Sequence, residues 1–402
     1  MSRLEELIQQ YCPDGVEYKK LGELGVFYGG LSGKTKEDFK DGNAKFISYK
    51  NVFYNLSLNI DTDERVKIEE GEKQHTIQYG DILFTGSSET PDECGMSSVL
   101  TQRTDEKLYL NSFCFGFRLH NPSQFCPDFL KHLFRSSELR KQIGKTASGT
   151  TRFNVSKKRF AEVSIPILPL PIQEEIARIL DNLAELQAEL QAELQKRLQQ
   201  YEYYRDKLLS FSDLSNWGGQ EVSVEWKKLG DVCNLGTGSH NTQDGLSEGR
   251  YPFYTRGSEV LYLNDYDYDE TAIITAGDGA GVGKVFHFVK GKYALHQRAY
   301  RIVPDEKKVL ARFVYYYIGA TFYDYIMRNS VSSSVASIRR PMMVNYPIPV
   351  PSLEEQQRIV DILDRFDTLT TDITAGLPAE IEARRKQYEY YRDRLLTFKQ
   401  KA

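Results

Sequence analysis

Two loops combine hydroxyl groups with arginines, a set of side chains that can bind phosphate. Residues 146–152 read TASGTTR and residues 330–340 read SVSSSVASIRR. Residues 131–159 hold nine Lys or Arg against one acid, and residues 326–350 hold no acid. Hydroxyls, backbone amides and guanidinium groups contact phosphates, and arginine can also read a guanine edge. The predicted polyanion contacts are Lys145, Ser148, Thr150, Thr151, Arg152, Lys157 and Lys158 in the first region and Ser333, Ser334, Ser337, Arg339 and Arg340 in the second.

For either loop alone, the plain alternative is a solvated basic helix followed by a linker. Each loop, however, precedes a proline-rich stretch, and this recurrence favours a functional role. The sequence does not separate residues that would read bases from residues that would hold phosphate.

The motifs that could carry catalysis fail on inspection. Residues 277–284 (GDGAGVGK) resemble a phosphate-binding loop, but Asp278 stands where glycine is required and Val285 where Ser or Thr is required. A glycine-rich hairpin is the better interpretation. Asp92 followed by residues 105–107 (DEK) matches a loose metal-nuclease pattern, which chance explains among 56 acids. The six histidines have no H-E-x-x-H spacing, so we expect no catalysis, no metal and no cofactor.

An internal repeat defines the architecture. Residues 200–211 (QYEYYRDKLLSF) and 387–398 (QYEYYRDRLLTF), here called the tyrosine segments, agree at ten of twelve positions. Tyrosine and arginine are enriched where interfaces carry their energy. The segments are predicted either to bind a partner or to close an intramolecular helix pair, and both can hold on different faces. The predicted contact residues are Tyr201, Tyr203, Tyr204 and Arg205, repeated as Tyr388, Tyr390, Tyr391 and Arg392.

Two further strips repeat. Residues 16–24 match residues 224–232 at an offset of 208, and the proline-rich strip at residues 166–171 matches the one at residues 347–351 at an offset of 180, with Pro169 aligned to Pro349. The tyrosine segments lie 187 residues apart. The second helical region is therefore expected to be seven residues longer, one heptad, so that its apolar face stays in phase.

The repeats are connected by long helical stretches. Residues 172–211 contain neither Gly nor Pro and would form about 60 Å of helix. They include three AELQ units, each adding about 6 Å and about 40° of rotation. Residues 376–378 (GLP) should break the second stretch into pieces near 352–375 and 379–399. Two such stretches favour an intramolecular antiparallel pair. Its predicted apolar seam is Ile176, Ile179, Leu183, Leu186 and Leu190.

The remaining segments are predicted to be mixed α/β globules, giving an α+β chain with an internal pseudo-two-fold repeat. Short helices are expected over 127–143 and 308–328, and strands over 45–49, 81–85, 112–119, 272–275 and 284–289. The expected domains are residues 1–165 and 213–346, separated by helical spacers at 166–212 and 347–402. Because no run of eighteen apolar residues and no charged-then-apolar stretch at the start is recognised, we expect a chain that is neither membrane-spanning nor exported. Five scattered cysteines favour a reducing cytoplasm. The net charge of −4 means that nucleic-acid binding must depend on local patches.

This order of variable globule, proline-rich strip and long helix ending in YEYYRDKLL, all twice, resembles the specificity subunit of type I restriction–modification systems. The resemblance covers essentially the whole chain and is strongest at residues 169–178, 200–211, 353–358 and 387–398. It implies two target recognition domains, each reading half of an asymmetric bipartite DNA site. It also implies helices that set the spacer and hold two adenine methyltransferase subunits, alongside restriction/translocase subunits, in a bacterial or archaeal cytoplasm. The break at residues 376–378 and the acidic net charge depart from the expected pattern.

Other interpretations stay open. The same architecture could serve a type II-like system in which the partner both methylates and cuts. It could also be a coiled-coil scaffold whose globules bind protein. A stand-alone nuclease is a weaker third, testable by Asp105→Ala.

Overall fold

The computed structural model describes residues 3–211, 223–329, 337–372 and 374–401. The chain divides into two compact units, one made of Met1–Leu190 with Ile381–Ala402 and the other of Gln191–Glu380. Both boundaries between the units, at 190/191 and 380/381, fall inside helices. This two-part division does not test the four-part division into globules and spacers, which stays a prediction.

The first unit contains thirteen strands among its described residues. They are β1 (Glu17–Lys20), β2 (Gly25–Gly29), β3 (Ala44–Ile47), β4 (Arg65–Val66), β5 (Thr76–Ile77), β6 (Ile82–Thr85), β7 (Ser87–Ser88), β8 (Ser97–Val99), β9 (Leu108–Leu110), β10 (Cys114–Leu119), β11 (Ala147–Ser148), β12 (Phe153–Val155) and β13 (Ser164–Ile167).

These strands form small sheets around a phenylalanine-rich core. The sheet orders are β2-β10-β6-β8, β4-β3-β9-β5, β11-β12-β7 and the pair β1-β13. Phe84, Phe117 and Phe160 are fully buried in the main core. The helices that begin in this unit are α1 (Arg3–Tyr11), α2 (Leu21–Leu24), α3 (Tyr49–Tyr54), α4 (Pro127–Leu133), α5 (Ser137–Gly144), α6 (Lys157–Phe160) and α7 (Leu170–Ser210).

The second unit is built around one larger sheet of order β15-β20-β18-β19-β16-β17, and α7 continues into it from the first unit. Its strands are β14 (Glu225–Lys228), β15 (Cys233–Thr237), β16 (Tyr251–Tyr254), β17 (Val260–Leu263), β18 (Tyr268–Ala276), β19 (Phe286–Leu295), β20 (Ala299–Pro304) and β21 (Pro347–Val350). The remaining helices are α8 (Leu229–Val232), α9 (Ala311–Asn329), α10 (Arg340–Val344), α11 (Leu353–Thr371) and α12 (Leu377–Leu395), the last of which runs back into the first unit.

The first two repeated strips meet each other in both units. β1 pairs antiparallel with β13, placing Glu17 opposite Ile167. β14 pairs antiparallel with β21 in the same way, placing Glu225 opposite Val350. Each strand pair closes its globule just before the long helix begins. The repeated sequence therefore encodes the junction between globule and helix.

Two buried glutamines correct the predicted offset of the proline-rich strip. Gln173 Nε2 donates to Leu168 O and its Oε1 accepts from Cys126 N; Gln356 makes the same bonds to Pro351 O and Leu310 N. Their separation is 183 residues, and at this offset Ile176 matches the equally buried Ile359.

The helical difference is therefore four residues (187 against 183), not seven, so the heptad argument is wrong. The predicted match at 180 aligned the pairs Glu175–Arg178 and Glu355–Arg358. These i,i+3 ion pairs are local contacts in the early turns of each helix. They lie three residues out of step with the buried positions.

The predicted helices are largely confirmed. The first long stretch forms α7, and the second is broken into α11 and α12 as residues 376–378 predicted. The expected helix over 127–143 is instead two helices, because Ser136 Oγ accepts from Leu139 N and caps a new helix. The 308–328 helix is α9. Observed strands fall within or overlap the predicted runs 45–49, 81–85, 112–119, 272–275 and 284–289.

The seam of α7 is only partly covered. Ile176 is fully buried and Ile179 partly buried, whereas Leu186 is 45 % exposed. The AELQ units repeat every four residues, so each successive leucine rotates by about 40° away from the starting face.

Among the described residues, no helix combines the length and apolar character needed to cross a membrane.

Candidate nucleic-acid interface and helical contact surface

The first hydroxyl loop forms the tip of a hairpin. β11 and β12 pair antiparallel, and β12 pairs on its other side with β7. Gly149 at the tip has φ of 152°, and a Cβ there would lie 2.0 Å from Arg152 O, so only glycine fits. Ser148, Thr150, Thr151 and Arg152 are all exposed. The hairpin therefore presents three hydroxyls and a guanidinium to solvent.

Arg152 connects the hairpin to β7 and to the residue just before β10. Its Nε donates to Ser87 Oγ at 3.1 Å, and its guanidinium carbon lies 5.7 Å from the ring centroid of Phe113. Phe113 is 58 % exposed. An arginine stacked on an exposed ring keeps its remaining N–H groups directed outward.

An aromatic cleft of about 630 Å³ adjoins this arginine. Tyr49, Phe53 and Tyr54 of α3 line it together with Thr151 and Arg152. Tyr49 stacks on Phe53 at 5.9 Å and donates to Ser87 O, whereas Tyr54 is 74 % exposed. Exposed aromatic rings beside arginine are a surface suited to stacking and groove contacts. The sequence analysis missed this cleft, because α3 lies a hundred residues before the hairpin.

The second unit has the corresponding bridge. Asp278, which follows β18, pairs with Ser337 as Ser87 pairs with Asn154 in the first unit. Ile338 N donates to Gly277 O at 2.7 Å. The glycine-rich residues 277–285 connect antiparallel strands β18 and β19, which confirms the predicted hairpin.

The other predicted contact residues are distributed unevenly. Lys157 and Lys158 are exposed on α6, and Arg339 is exposed just before α10. Arg340 donates through Nη2 to Leu235 O at 3.1 Å and is thus partly committed within its unit. Ser333 and Ser334 lie outside the described residues.

Lys145 lines a separate basic cavity of about 740 Å³ in the first unit. Arg135 bonds backbone carbonyls including Ser97 O, and Arg140 bonds Gly95 O and Cys94 O. Burial lowers the pKa of each guanidinium to about 10. These two arginines hold residues 94–97 in place through hydrogen bonds to their backbone carbonyls. The sequence analysis had treated them only as members of a basic run.

The second tyrosine segment is anchored in the first unit. Tyr388 Oη lies 2.8 Å from His132 Nδ1, and His132 Nε2 lies 2.7 Å from Asp181 Oδ1. Asp393 accepts hydrogen bonds from the backbone and the hydroxyl of Ser137. Burial raises the pKa of Tyr388 to about 12. This unit therefore joins the beginning of α7 to the end of α12, as antiparallel segments require.

The first tyrosine segment packs on α11 in the second unit. Tyr204 stacks on Phe366 of α11 at 5.8 Å, and Tyr201 lies 6.2 Å from the same ring. Burial raises the pKa of Tyr201 to about 12. Leu208 and Leu209 close the segment by entering the core of the unit.

The two tyrosine segments divide into an inner and an outer face. Tyr201, Tyr204 and Tyr388 pack within their units. The equivalent residues Tyr203 and Tyr390 are 60 % and 59 % exposed, and Tyr391 is 37 % exposed. Arg205 and Arg392 each bond the aspartate that follows them. Intramolecular packing thus uses one face, and the other face is exposed.

The nuclease pattern is not assembled. Asp92 lines the basic cavity, whereas Glu106 pairs with Lys45 at 2.5 Å beside a different cavity with Lys107. Within the described ranges, no group of three or more His, Cys, Asp or Glu side chains is placed to hold a metal.

Comparison with known families decides the assignment. The profile of the type I restriction modification DNA specificity domain matches residues 13–200 and again residues 221–383. This chain belongs to that family. Its two copies coincide with the two structural repeats found above.

Individual family members agree with this. The chain is 40 % identical over 255 residues to the Escherichia coli type I restriction enzyme EcoR124I/EcoR124II specificity subunit, an alignment covering 58 % of this chain and 61 % of that one. It is 31 % identical over 247 residues to a putative type I specificity subunit of Mycoplasma pneumoniae, covering 60 % of this chain and 98 % of that one.

Solved structures share the fold. The S subunit of a type I restriction–modification system from M. genitalium superposes with a TM-score of 0.58 at 15 % identity, covering 95 % of this chain and 96 % of that one. A chain from a study of complex assembly and conformational transition of the type I system gives 0.62 at 17 % identity, covering 96 % and 98 %. The family fold, mixed α/β globules carried on long helices, is thus retained at low identity.

Proposed function

We propose that this chain is the DNA-specificity subunit of a type I restriction–modification complex, in which each globule reads one half of a bipartite duplex site. The observation that carries the proposal is that equivalent positions of the two units bear different exposed side chains. Gly86 N donates to Phe113 O in the first unit as Gly277 N donates to Arg298 O in the second, so Phe113 and Arg298 are equivalent, and they are 58 % and 63 % exposed. A common framework with different surface groups is suited to reading two different sequences, so the site should be asymmetric.

The chemistry of the loops supports duplex DNA as the ligand. The hairpin of the first unit offers hydroxyls, a guanidinium and flanking lysines, the groups that position a protein on phosphates and read base edges. The net charge of −4 means that this attraction is local. Strong binding is therefore expected only with partner subunits that contribute further phosphate contacts.

The outer face of the tyrosine segments supports a role in holding partners. Because this face occurs twice, two copies of one partner would be bound, for which the family points to adenine methyltransferase subunits. Restriction/translocase subunits would then join that complex. The chain itself performs no catalysis in this proposal and requires no cofactor.

Selection from a randomised duplex library tests the proposal. The chain, co-purified with the methyltransferase subunit of its own system, should enrich a single motif of two unlike halves separated by a fixed, unread gap. If a stable complex enriched no motif from the library, DNA specificity would be rejected and a protein-binding scaffold would be favoured.

A further inference from the structure

We propose that Arg298 reads a guanine in the half-site of the second unit, binding its O6 and N7 edge in the major groove, and that Asp278 is a positioning residue for it. The inference rests on the proposed function. It adds a specific base contact on residues that lie outside the predicted hydroxyl loop.

The two side chains form part of a three-membered ion-pair cluster. Asp278 Oδ1 accepts from Arg256 Nη1 at 2.8 Å, and its Oδ2 accepts from Arg298 Nη1 at 3.0 Å. The aspartate side chain is 19 % exposed, against 41 % for Arg256 and 63 % for Arg298. The carboxylate is therefore the most buried group of the cluster, and the Arg298 side chain is the most exposed.

The backbone beneath the cluster is tightly fixed. Gly277 N donates to Arg298 O at 2.8 Å, and a Cβ at Gly277 would lie 2.6 Å from that oxygen. Arg298 N donates to His296 Nδ1 at 3.0 Å. The neighbouring bridge joins Asp278 to Ser337, at the end of the second hydroxyl loop. Arg298 is thus held beside a region already predicted to contact DNA.

The hydrogen-bonding pattern leaves a free fork. Among the described residues, the contact of Arg298 with Asp278 uses Nη1, and the Nε and Nη2 hydrogens remain for a ligand. Two parallel N–H groups match guanine O6 and N7. A side chain already held at one end loses less rotamer freedom when it binds.

Within this net positive cluster, the negative charge of Asp278 weakens a purely electrostatic contact of Arg298 with phosphate. Burial raises the pKa of Asp278, but hydrogen bonds from Arg256 and Arg298 outweigh this and lower it, so the carboxylate stays ionised. A phosphate placed on Arg298 would lie close to that negative charge, whereas the guanine edge is neutral. The aspartate thus orients the arginine and disfavours a purely electrostatic contact.

The experiment maps methylated adenines genome-wide for the chain co-expressed with its methyltransferase subunit. Arg298→Ala should relax one guanine position in one half-motif by roughly 5- to 150-fold in preference and leave the other half unchanged. Arg298→Lys should relax the same position, since lysine keeps the charge but lacks the fork. Asp278→Ala should weaken the guanine preference at the same position, and combining it with Arg298→Ala should cause little further loss. Arg250→Ala, an exposed arginine of the same unit, is the matched control.

Each result has a defined meaning. If Arg298→Lys preserved the guanine preference, a single cationic donor would suffice, and the two-bond contact of the guanidinium to O6 and N7 would be overturned. An unaltered motif in both Arg298 variants would overturn it too, while the wild-type motif would still support the proposed function. If Asp278→Ala relaxed only the guanine position that Arg298→Ala relaxes, and left the melting temperature unchanged, the positioning role of Asp278 would be supported. A wild-type chain without any motif would reject the proposed function itself.

Discussion

His132 Nδ1 lies 2.8 Å from Tyr388 Oη, although 256 residues separate them in sequence. The other ring nitrogen, Nε2, lies 2.7 Å from Asp181 Oδ1. Because an ionised carboxylate only accepts, Nε2–H donates to Asp181 and Nδ1 accepts from the tyrosine. One buried imidazole therefore fastens the globule of the first unit to the beginning of α7 and to the end of α12.

Tyr388→Phe should lower the free energy of unfolding of the first unit by about 1–3 kcal/mol, because the fully buried His132 loses the donor to its Nδ1. Denaturant unfolding would measure this. Tyr390→Phe is the matched control on the same helix: Tyr390 is 59 % exposed, so a change within about 0.5 kcal/mol is expected. Equal losses of stability from both substitutions would contradict the assignment of Tyr388 to the inner face and Tyr390 to the outer face.

The same contact predicts sensitivity to acid. Burial lowers the pKa of His132, and the hydrogen bond to Asp181 only partly opposes this. Below about pH 6.5 the unfolded chain binds a proton that the folded chain does not, so stability falls as pH decreases toward the lowered pKa.

The pH slope of this contribution should reach at most about 1.4 kcal/mol per pH unit. Lys131, Asp128 and Asp181 are the charged groups around the ring. Burial raises the pKa of Asp181, but its hydrogen bonds to His132 and Lys131 outweigh this and lower it. Unfolding of wild type and His132→Asn from pH 7 to pH 5 provides the test. A stability difference that stayed constant over that range would contradict the assignment.

Arg152 is expected to set part of the first half-motif. Arg152→Ala should weaken or relax one half of the site by about 1–3 kcal/mol per lost base contact and leave the other half intact. Competition binding with base-substituted duplexes measures this. Arg159→Ala, an exposed arginine on the neighbouring helix α6, serves as the control. Loss spread evenly over all duplexes, with a reduced salt dependence, would instead assign Arg152 to phosphate.

The outer faces of the tyrosine segments should carry partner binding. Tyr203→Ala combined with Tyr390→Ala should weaken capture of the methyltransferase subunit by about 2 kcal/mol or more while leaving unfolding unchanged. Titration of the partner against immobilised chain measures the loss. Glu202→Ala, also exposed beside Tyr203, should have little effect. Full binding by the double tyrosine variant would contradict this surface.

The AELQ units of α7 are predicted to set the gap between the half-motifs. Deleting residues 188–191 removes one unit and about 6 Å of helix, close to two base-pair steps of about 3.4 Å. The permitted gap should shorten while both half-motifs stay the same. Altered half-motifs with an unaltered gap would contradict this role.

Periodic and repeated features of the fold could be predicted from the sequence. The α7 pattern, the break at residues 376–378 and the Gly-rich hairpin each depend on neighbours in the chain, and local patterning reports them directly. The three-residue error in aligning Gln173 with Gln356 arose because helix surfaces tolerate shifts of three or four residues. Only the buried hydrogen bonds of these glutamines fix the register.

Contacts between distant residues could not be predicted in this way. His132 and Tyr388, or Asp278 and Arg298, are brought together by strand order and helix docking, which no local pattern encodes. Their residue types were visible, but no spacing marked them. The hydroxyl loops were found because they repeat, whereas the α3 cleft has no repeated signature.

The central claim is that the chain gives a DNA-modifying complex its sequence specificity, and mapping methylated adenines in cells tests it most directly. Expression of the chain with its methyltransferase subunit in a host lacking both should methylate adenines within a single asymmetric bipartite motif, and omission of the chain should abolish that pattern. Methylation without a motif, or the same motif when the chain is absent, would contradict the account.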